Sequence, residues 1–191
     1  MRLFLVRHGQ SVANLTKTYA GQLDVPLTEQ GCMQAQEIRP ILADISFDRV
    51  YSSDLIRAID TQKLALPGQD SIRLPLLREI NVGSLAGLSF AQAQREYDEQ
   101  FRQETAYSCF GGECTQDVRD RAAAFLRLLE EDPCENVVAF SHNGFMCCLL
   151  ETVLQASVNR TAARSGNCAI HVFEYDGQVW RLLAWNYMKN L

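Results

Sequence analysis

The chain lacks most of the features that would mark a special compartment or scaffold. It has no C-x-x-C pair, and its seven cysteines, at 32, 109, 114, 134, 147, 148 and 168, are odd in number, so neither a disulfide framework nor a zinc knuckle is encoded. They read as reduced thiols, which points to the cytoplasm. No H-E-x-x-H or comparable ligand cluster is present, and no metal is expected. Long apolar runs are missing too: "MRLFLV" is interrupted by Arg7 and His8, far short of a signal-peptide core or a membrane span. The formal net charge of −5 argues against a surface that holds nucleic acid or anionic membrane, so any basic site has to be concentrated in one pocket. With no repeat and no low-complexity linker, 191 residues that are 47% hydrophobic and 21% charged describe a single ordinary globular domain.

What is present is an alternation of short apolar runs and helical stretches. Residues 2 to 6 read as a buried strand stopped by Gly9. Between Thr28 and Ile45 the positions Ala35, Ile38, Leu42 and Ile45 recur at helical spacing, with Thr28 as the cap and Pro40 as a kink. "DRVYSS" suggests a second strand, followed by a helix capped by Ser53 or Asp54 and ended by Pro67-Gly68. "SIRLP" is a third extended piece, and Ser89 to about Glu104 is polar and helix-favouring. From Thr115 to Glu131 the residues Val118, Ala122, Phe125, Leu126 and Leu129 form an amphipathic stripe. "NVVAFSHNG" repeats the opening logic of an apolar strand, a terminal histidine, a glycine and a helix. "CAIHVFEYDGQVWRLLAW" alternates around Asp176-Gly177, the signal for a two-residue hairpin. The fold class is therefore α/β: a single domain with a mostly parallel sheet flanked by helices on both faces and closed by an antiparallel hairpin. Such sheets bind ligands outside the carboxyl ends of their strands, where both His8 and His142 are expected. If those two strands are neighbours, the histidines meet from positions 134 residues apart.

Arg7 and His8 cannot both face one ligand within regular sheet, because side chains alternate. Gly9 is expected to let the backbone turn at once and to bring main-chain N–H groups near an anion. Arginine's planar fork matches phosphate oxygens, and the helix start after Asn143-Gly144 adds N–H groups and a positive dipole end. Neutral imidazole is a competent nucleophile, and nearby guanidiniums favour that neutral form of His8. Arg57 lies one turn into a helix. The ordinary reading is a surface arginine, but its place just after "SSDL" puts it beside a strand's carboxyl end.

"RHGQSVAN", "SSDLIRAIDT", "LREI", "GGE" and "SHNG", in this order from residue 2 to about 145, resemble the histidine phosphatase superfamily in its phosphoglycerate mutase-like branch. The resemblance implies that His8 is transiently phosphorylated, that Arg7, Arg57 and His142 hold the phosphoryl oxygens with Asn14 as a further polar contact, and that Glu79 donates and accepts the proton. A leaving alkoxide needs that proton, and a carboxylic acid beside an anionic phosphate is favoured in its protonated form. Asn143 joins the phosphate-binding set, and no cofactor is needed. Residues about 80 to 112 are expected to cover the site and set specificity, with Val82, Phe90 and Glu113 as pocket candidates and Leu85 and Phe145 beside them. Glu113 also suits a cap ahead of the helix at Thr115, where Cys114 stands in place of the serine found in many relatives. His171 is expected to face solvent or a satisfied polar contact, with no catalytic part.

Mutases of this branch carry an arginine directly after the glutamate and a lysine in a G-L-N-K segment; here those places hold Ile80 and Phe90. The expected activity is accordingly hydrolysis of a small phosphorylated metabolite through phosphohistidine. The alternatives are phosphoglycerate mutase-type transfer, a ribazole-phosphate-type phosphatase and, least favoured, a non-catalytic module that binds a phospholigand. A cysteine-based phosphatase is rejected, because Cys114 and Arg119 are separated by four residues where such loops use five. A homo-oligomer remains compatible with the sequence.

Overall fold

A computed structural model describes residues 1–98, 107–132 and 134–187. One six-stranded sheet organises them, in the order β3-β2-β4-β1-β5-β6. The strands are β1 (Arg2–Arg7), β2 (Arg49–Ser52), β3 (Ile72–Arg73), β4 (Asn136–Ser141), β5 (Ile170–Tyr175) and β6 (Trp180–Tyr187). β3, β2, β4 and β1 run parallel, while β5 and β6 are antiparallel additions on the β1 side. The histidine-terminated strands are neighbours: β1 pairs with β4 from Arg2↔Asn136 to Arg7↔Ser141.

Both faces of the central strands are buried, which is why they read as continuous apolar runs. Leu3, Leu5, Val137 and Ala139 point to one core, shared with the helices α6 (Thr115–Glu130) and α7 (Asn143–Leu154). Val6, Val138 and Phe140 point to the other, covered by α2 (Glu29–Glu37), α3 (Arg39–Ala43) and α4 (Ile56–Ala65). All five residues of the stripe on α6 are buried. A short α1 (Val12–Thr16) follows β1, and α5 (Phe90–Glu96) belongs to a satellite cluster of Val82, Leu85, Ala93 and Phe110.

Three expectations are corrected in detail. The helix expected from Thr28 to Ile45 is two helices meeting at Ile38, because Pro40 cannot supply an N–H to a continuous ladder; Thr28 does cap α2, accepting from the Gly31 amide. The hairpin loop has four residues, Asp176 to Val179, since the Asp176 carboxylate accepts the amides of both Gln178 and Val179 and rounds off a longer turn. The helix expected from Ser89 to about Glu104 ends at Glu96, and residues 99–106 lie outside the described ones.

Gly9 is required for a different reason from the one expected. Its φ is not positive; instead α2 passes so close that a β-carbon on Gly9 would lie 2.4 Å from the Gly31 carbonyl oxygen. Nor does its amide face an anion, because it donates to Thr61 Oγ1 at 3.0 Å. Gly31 is the reciprocal half of this contact: a β-carbon there would meet the Gln10 carbonyl oxygen at 2.0 Å. Alanine in a helix is intrinsically better than glycine by about 1 kcal/mol. Forcing backbone apart in a packed interior costs about 1–3 kcal/mol or more, and here the obstacle is main chain that cannot rotate away. The second effect wins, so Gly31→Ala should lower the urea unfolding midpoint, with a net loss of about 2 kcal/mol. An unchanged or raised midpoint would contradict this account of the contact between residues 9–10 and α2.

Candidate active site

The site forms at the carboxyl ends of β1, β4 and β2. Strand pairing ends at Arg7↔Ser141, and the next residues, His8 and His142, leave the sheet side by side with ring centroids 5.1 Å apart. Beside them β2 ends at Ser52, and the amide of Ser53 donates to the Phe140 carbonyl, holding the three strand ends level.

His8 is 3% exposed, and its Nδ1 donates to its neighbour's carbonyl, Gly9 O, at 2.7 Å. A carbonyl can only accept, so the proton sits on Nδ1 and the lone pair on Nε2. Burial, and then the charges of Arg57 and Arg7, hold the imidazole far below its ordinary pKa. His142 is fully buried and held neutral by the same causes, burial first and Arg57 second. Ser53 Oγ accepts the Leu55 amide and lies 2.9 Å from His142 Nε2; with the serine proton given to Nε2, Nδ1 is the protonated nitrogen. That buried donor has no partner among the described residues, and neither has Arg7 Nε. Buried polar groups are rarely left so; two at one site mark a place built for an anion.

Arg7 is held by the Ser165 carbonyl, which accepts from Nη1. Arg57 enters near the start of α4, as its spacing implied, and is 1% exposed. Its Nη1 and Nη2 each donate at 2.8 Å, to the carbonyls of Leu23 and Gly21, and each retains a second N–H. The helix cap differs from expectation. No side chain of residue 53 or 54 caps α4 directly; instead Asp24 accepts the Ile56 amide, so the loop of residues 20 to 24 is stitched to α4 at both the helix end and the arginine. Asn14 and Asn143 both line the cavity. Asn14 Oδ1 accepts from Ser11 N and Asn167 Nδ2, and Asn143 Oδ1 accepts from Ser165 N.

Glu79 reaches the same cavity, its carboxylate accepting the amides of Ile80 at 2.9 Å and Gly144 at 3.3 Å. The first turn of α7 therefore meets a carboxylate as well as the open cavity. The segment carrying Glu79 is clamped from behind by Arg121, whose Nη1 donates to the carbonyls of Leu76 and Arg78. Glu113 belongs to that clamp rather than to the pocket: both its oxygens bind Arg121 and one accepts the Asn81 amide, which corrects its place among the pocket candidates. Val82 and Phe90 do line the cavity, whereas Leu85 and Phe145 are fully buried in the cores beneath. His171 is buried, with Nε2 against Ser165 Oγ and Nδ1 accepting the Asn186 amide, so the satisfied contact is the correct one of its two readings.

The cavity holds about 270 Å³, room for a small metabolite. Its lining includes residues that the sequence did not single out: Ser11, Tyr19, Tyr107 and Arg164. Ser11 carries only the signature of a helix cap, in a capping box with Asn14, and Tyr19, Tyr107 and Arg164 come from separate segments that share the cavity only after folding. Among the described residues no group of three or more His, Cys, Asp or Glu is placed to hold a metal, no disulfide forms, and no helix is long and apolar enough to cross a membrane.

Parallel strand ends, a buried neutral imidazole with a free lone pair and guanidiniums beside it define an α/β domain that handles phosphoryl groups. The chain belongs to the histidine phosphatase superfamily, branch 1, whose family model matches residues 3–188. It is 33% identical over 165 residues to the adenosylcobalamin/alpha-ribazole phosphatase of Salmonella typhimurium, covering 81% of this chain and 80% of that one. Among solved structures, the alpha-ribazole phosphatase of Shigella flexneri superimposes with a TM-score of 0.88 at 28% identity, covering 98% of this chain and 96% of the other. The mycobacterial glucosyl-3-phosphoglycerate phosphatase in complex with VO3 does so with a TM-score of 0.85 at 30% identity, covering 98% and 99%.

Two outcomes test this geometry. A β-carbon on Gly144 would lie 2.3 Å from Glu79 Oε1 and 2.7 Å from the Ile80 side chain, so Gly144→Ala must displace the carboxylate. A shift of about 1 Å in a reacting group costs on the order of a hundredfold, so kcat should fall by that order in a folded variant. Full activity would show that the position of Glu79 is not critical. The second outcome concerns pH. His8, His142 and His171 all have folded-state pKa values below their unfolded ones, that of His171 at about 3 through burial. As pH falls through about 6.5 the unfolded chain takes up these protons first, so stability is present above that pH and is lost below it, by about 1.4 kcal/mol per pH unit for each histidine. Urea midpoints of the ligand-free protein should decline from pH 7 to 5.5, and a flat profile would contradict buried neutral imidazoles.

Proposed function

We propose that the protein is a phosphomonoesterase that works through a phosphohistidine on His8 Nε2. The observation that carries this reading is the Nδ1 bond to Gly9 O, which fixes the tautomer and leaves Nε2 as the only basic nitrogen of a buried ring in an arginine-lined cavity. Nε2 attacks phosphorus and the bond from phosphorus to the ester oxygen breaks. Glu79, entering as the carboxylic acid, passes its proton to that oxygen. The Gly9 carbonyl faces the positive charge that the ring acquires. Water then attacks the phosphohistidine and gives a proton to the Glu79 carboxylate. The P–N bond breaks, inorganic phosphate leaves, and both groups return to their starting forms. Arg7, Arg57, His142 Nδ1, Asn14 and Asn143 are the donors for the three non-bridging oxygens, where stabilising charge in place does most of the work. No step calls for a metal.

Hydrolysis is favoured over transfer because Ile80 lines the cavity where a mutase carries its arginine, and a half-exposed Phe90 stands in place of the lysine. Two of the similar proteins are, by name, phosphatases of an alpha-ribazole and of a glucosyl-3-phosphoglycerate ester, which supports a small phosphorylated metabolite as substrate. The described parts of the segment from about 80 to 112 suit a cover of the leaving-group side, since Val82, Phe90 and Tyr107 line the cavity from it, Val82 and Tyr107 belonging to its small core and Phe90 packing on Tyr19. Cysteines without a disulfide among the described residues suit the cytoplasm.

His8→Ala should abolish both phosphate release and an acid-labile, base-stable phosphoryl adduct from a panel of monoesters; surviving activity would overturn the nucleophile assignment. Glu79→Gln should slow phosphorylation of His8 by esters of poor leaving groups by about 10²–10⁴-fold while sparing the burst of p-nitrophenol from p-nitrophenyl phosphate, whose leaving group needs little protonation; steady turnover of both then waits on the second step, which has lost its base. Isomer exchange without release of phosphate would instead establish the mutase reading.

A further inference from the structure

We propose that Arg164 reads a carboxylate on the leaving group, and that the flat apolar part of that group lies against Tyr19 and Phe90. The inference deepens the phosphatase reading and rests on it.

The first observation is a charge count. A phosphomonoester dianion faces Arg7 and Arg57 with both active-site histidines neutral, and in the proposed mechanism Glu79 enters as the acid and adds no charge. Arg164 also lines the cavity and leaves one positive charge over. Its charge works against that of Arg7, a smaller effect there than burial and the opposing pull of Glu79. One more anionic group on the substrate, worth a single charge, balances the set.

The second observation is what Arg164 does not do. Several arginines near this end of the molecule are matched with acids, Arg78 with Asp54, Arg121 with Glu113, and Arg119 and Arg160 with Glu151. Arg164 has no carboxylate partner among the described residues, and its side chain is exposed at the cavity. Its backbone, by contrast, is tied down. The Arg164 carbonyl accepts Asn186 Nδ2 at 3.0 Å, and the next amide, of Ser165, donates to Asn143 Oδ1. The root of the side chain is therefore fixed relative to the phosphate donors while its guanidinium is open to a ligand, the arrangement that favours bidentate capture of a carboxylate.

The third observation supplies the rest of the leaving group. Tyr19 packs edge-on against Phe90 with ring centroids at 4.6 Å and against Tyr107 at 6.2 Å, forming an aromatic wall in the same cavity. Phe90 is 49% exposed and presents an apolar face at the cavity. A planar group stacked there gains apolar burial and ring contact.

A matched pair of esters separates these features: 4-carboxyphenyl phosphate and its neutral counterpart 4-carbamoylphenyl phosphate. A charge-assisted contact of this kind is worth about tenfold or more, so the wild-type protein should favour the carboxylate ester by that ratio in kcat/KM, mostly through KM. In Arg164→Ala the ratio should collapse to about one. Dissociation constants for 4-carboxybenzylphosphonate and 4-carbamoylbenzylphosphonate, which cannot be hydrolysed, should show the same ratio and the same collapse. A wild-type ratio near one, or an equal loss for both ligands in the variant, would overturn the proposal; the latter would mean that Arg164 serves the phosphoryl group. Phosphonates that discriminate while neither ester is hydrolysed would uphold Arg164 and sink the phosphatase reading instead.

Discussion

The pairing of β1 with β4 is the contact on which everything else in this protein depends. Six residues of each strand run parallel and in register, and the last pair, Arg7 with Ser141, lies one residue before each histidine. A slip of one residue would reverse which side chains face each core and would move one imidazole away from the other. Register is protected because both strands are buried on both faces: Leu3, Leu5, Val137 and Ala139 must meet one layer of helices and Val6, Val138 and Phe140 the other. The apolar interior thus sets the position of the polar site at its edge.

Around that edge the chain solves an electrostatic difficulty. Two guanidiniums are almost wholly buried, and burial alone disfavours their charge. Backbone carbonyls make it tolerable: Ser165 for Arg7, Leu23 and Gly21 for Arg57. Carbonyls solvate the cation without neutralising it, and Glu79 attracts both arginines across the cavity without an ion-pair contact, so positive potential stays available to an anion. The two histidines answer the same field by staying neutral. One physical condition therefore suits both the binding of phosphate and an unprotonated nucleophile, and among the described residues Arg7 Nε and His142 Nδ1 have no partner there.

Much of this was legible in the residue order. The strand-histidine-glycine pattern at residues 8 and 142, the place of Arg57 after "SSDL" and the stripe on α6 all follow from local periodicity and from rules for strand and helix ends. Other features were misread because their causes are not local. Gly9 looked like a turn residue but is an approach site, since the neighbour that forbids a β-carbon is Gly31, on a helix it meets only after folding. Glu113 reads both as a pocket candidate and as a supporting residue ahead of α6, and the structure gives it the supporting place, paired with Arg121 on α6. The hairpin at Asp176 has the composition of a short turn and closes as a longer one, because its carboxylate takes two amides.

By itself the sequence determined the alternation of strands and helices, the strand ends at which the histidines emerge and the chemical character of the phosphate donors, because these depend on neighbours a few positions apart. Tertiary structure decided the tautomers of His8 and His142, the burial that keeps them neutral, the carbonyl support of the arginines and the gathering of Tyr19, Phe90, Tyr107 and Arg164 on the leaving-group side. Those properties arise from distance and desolvation between segments far apart in the chain, and no spacing along a sequence encodes either.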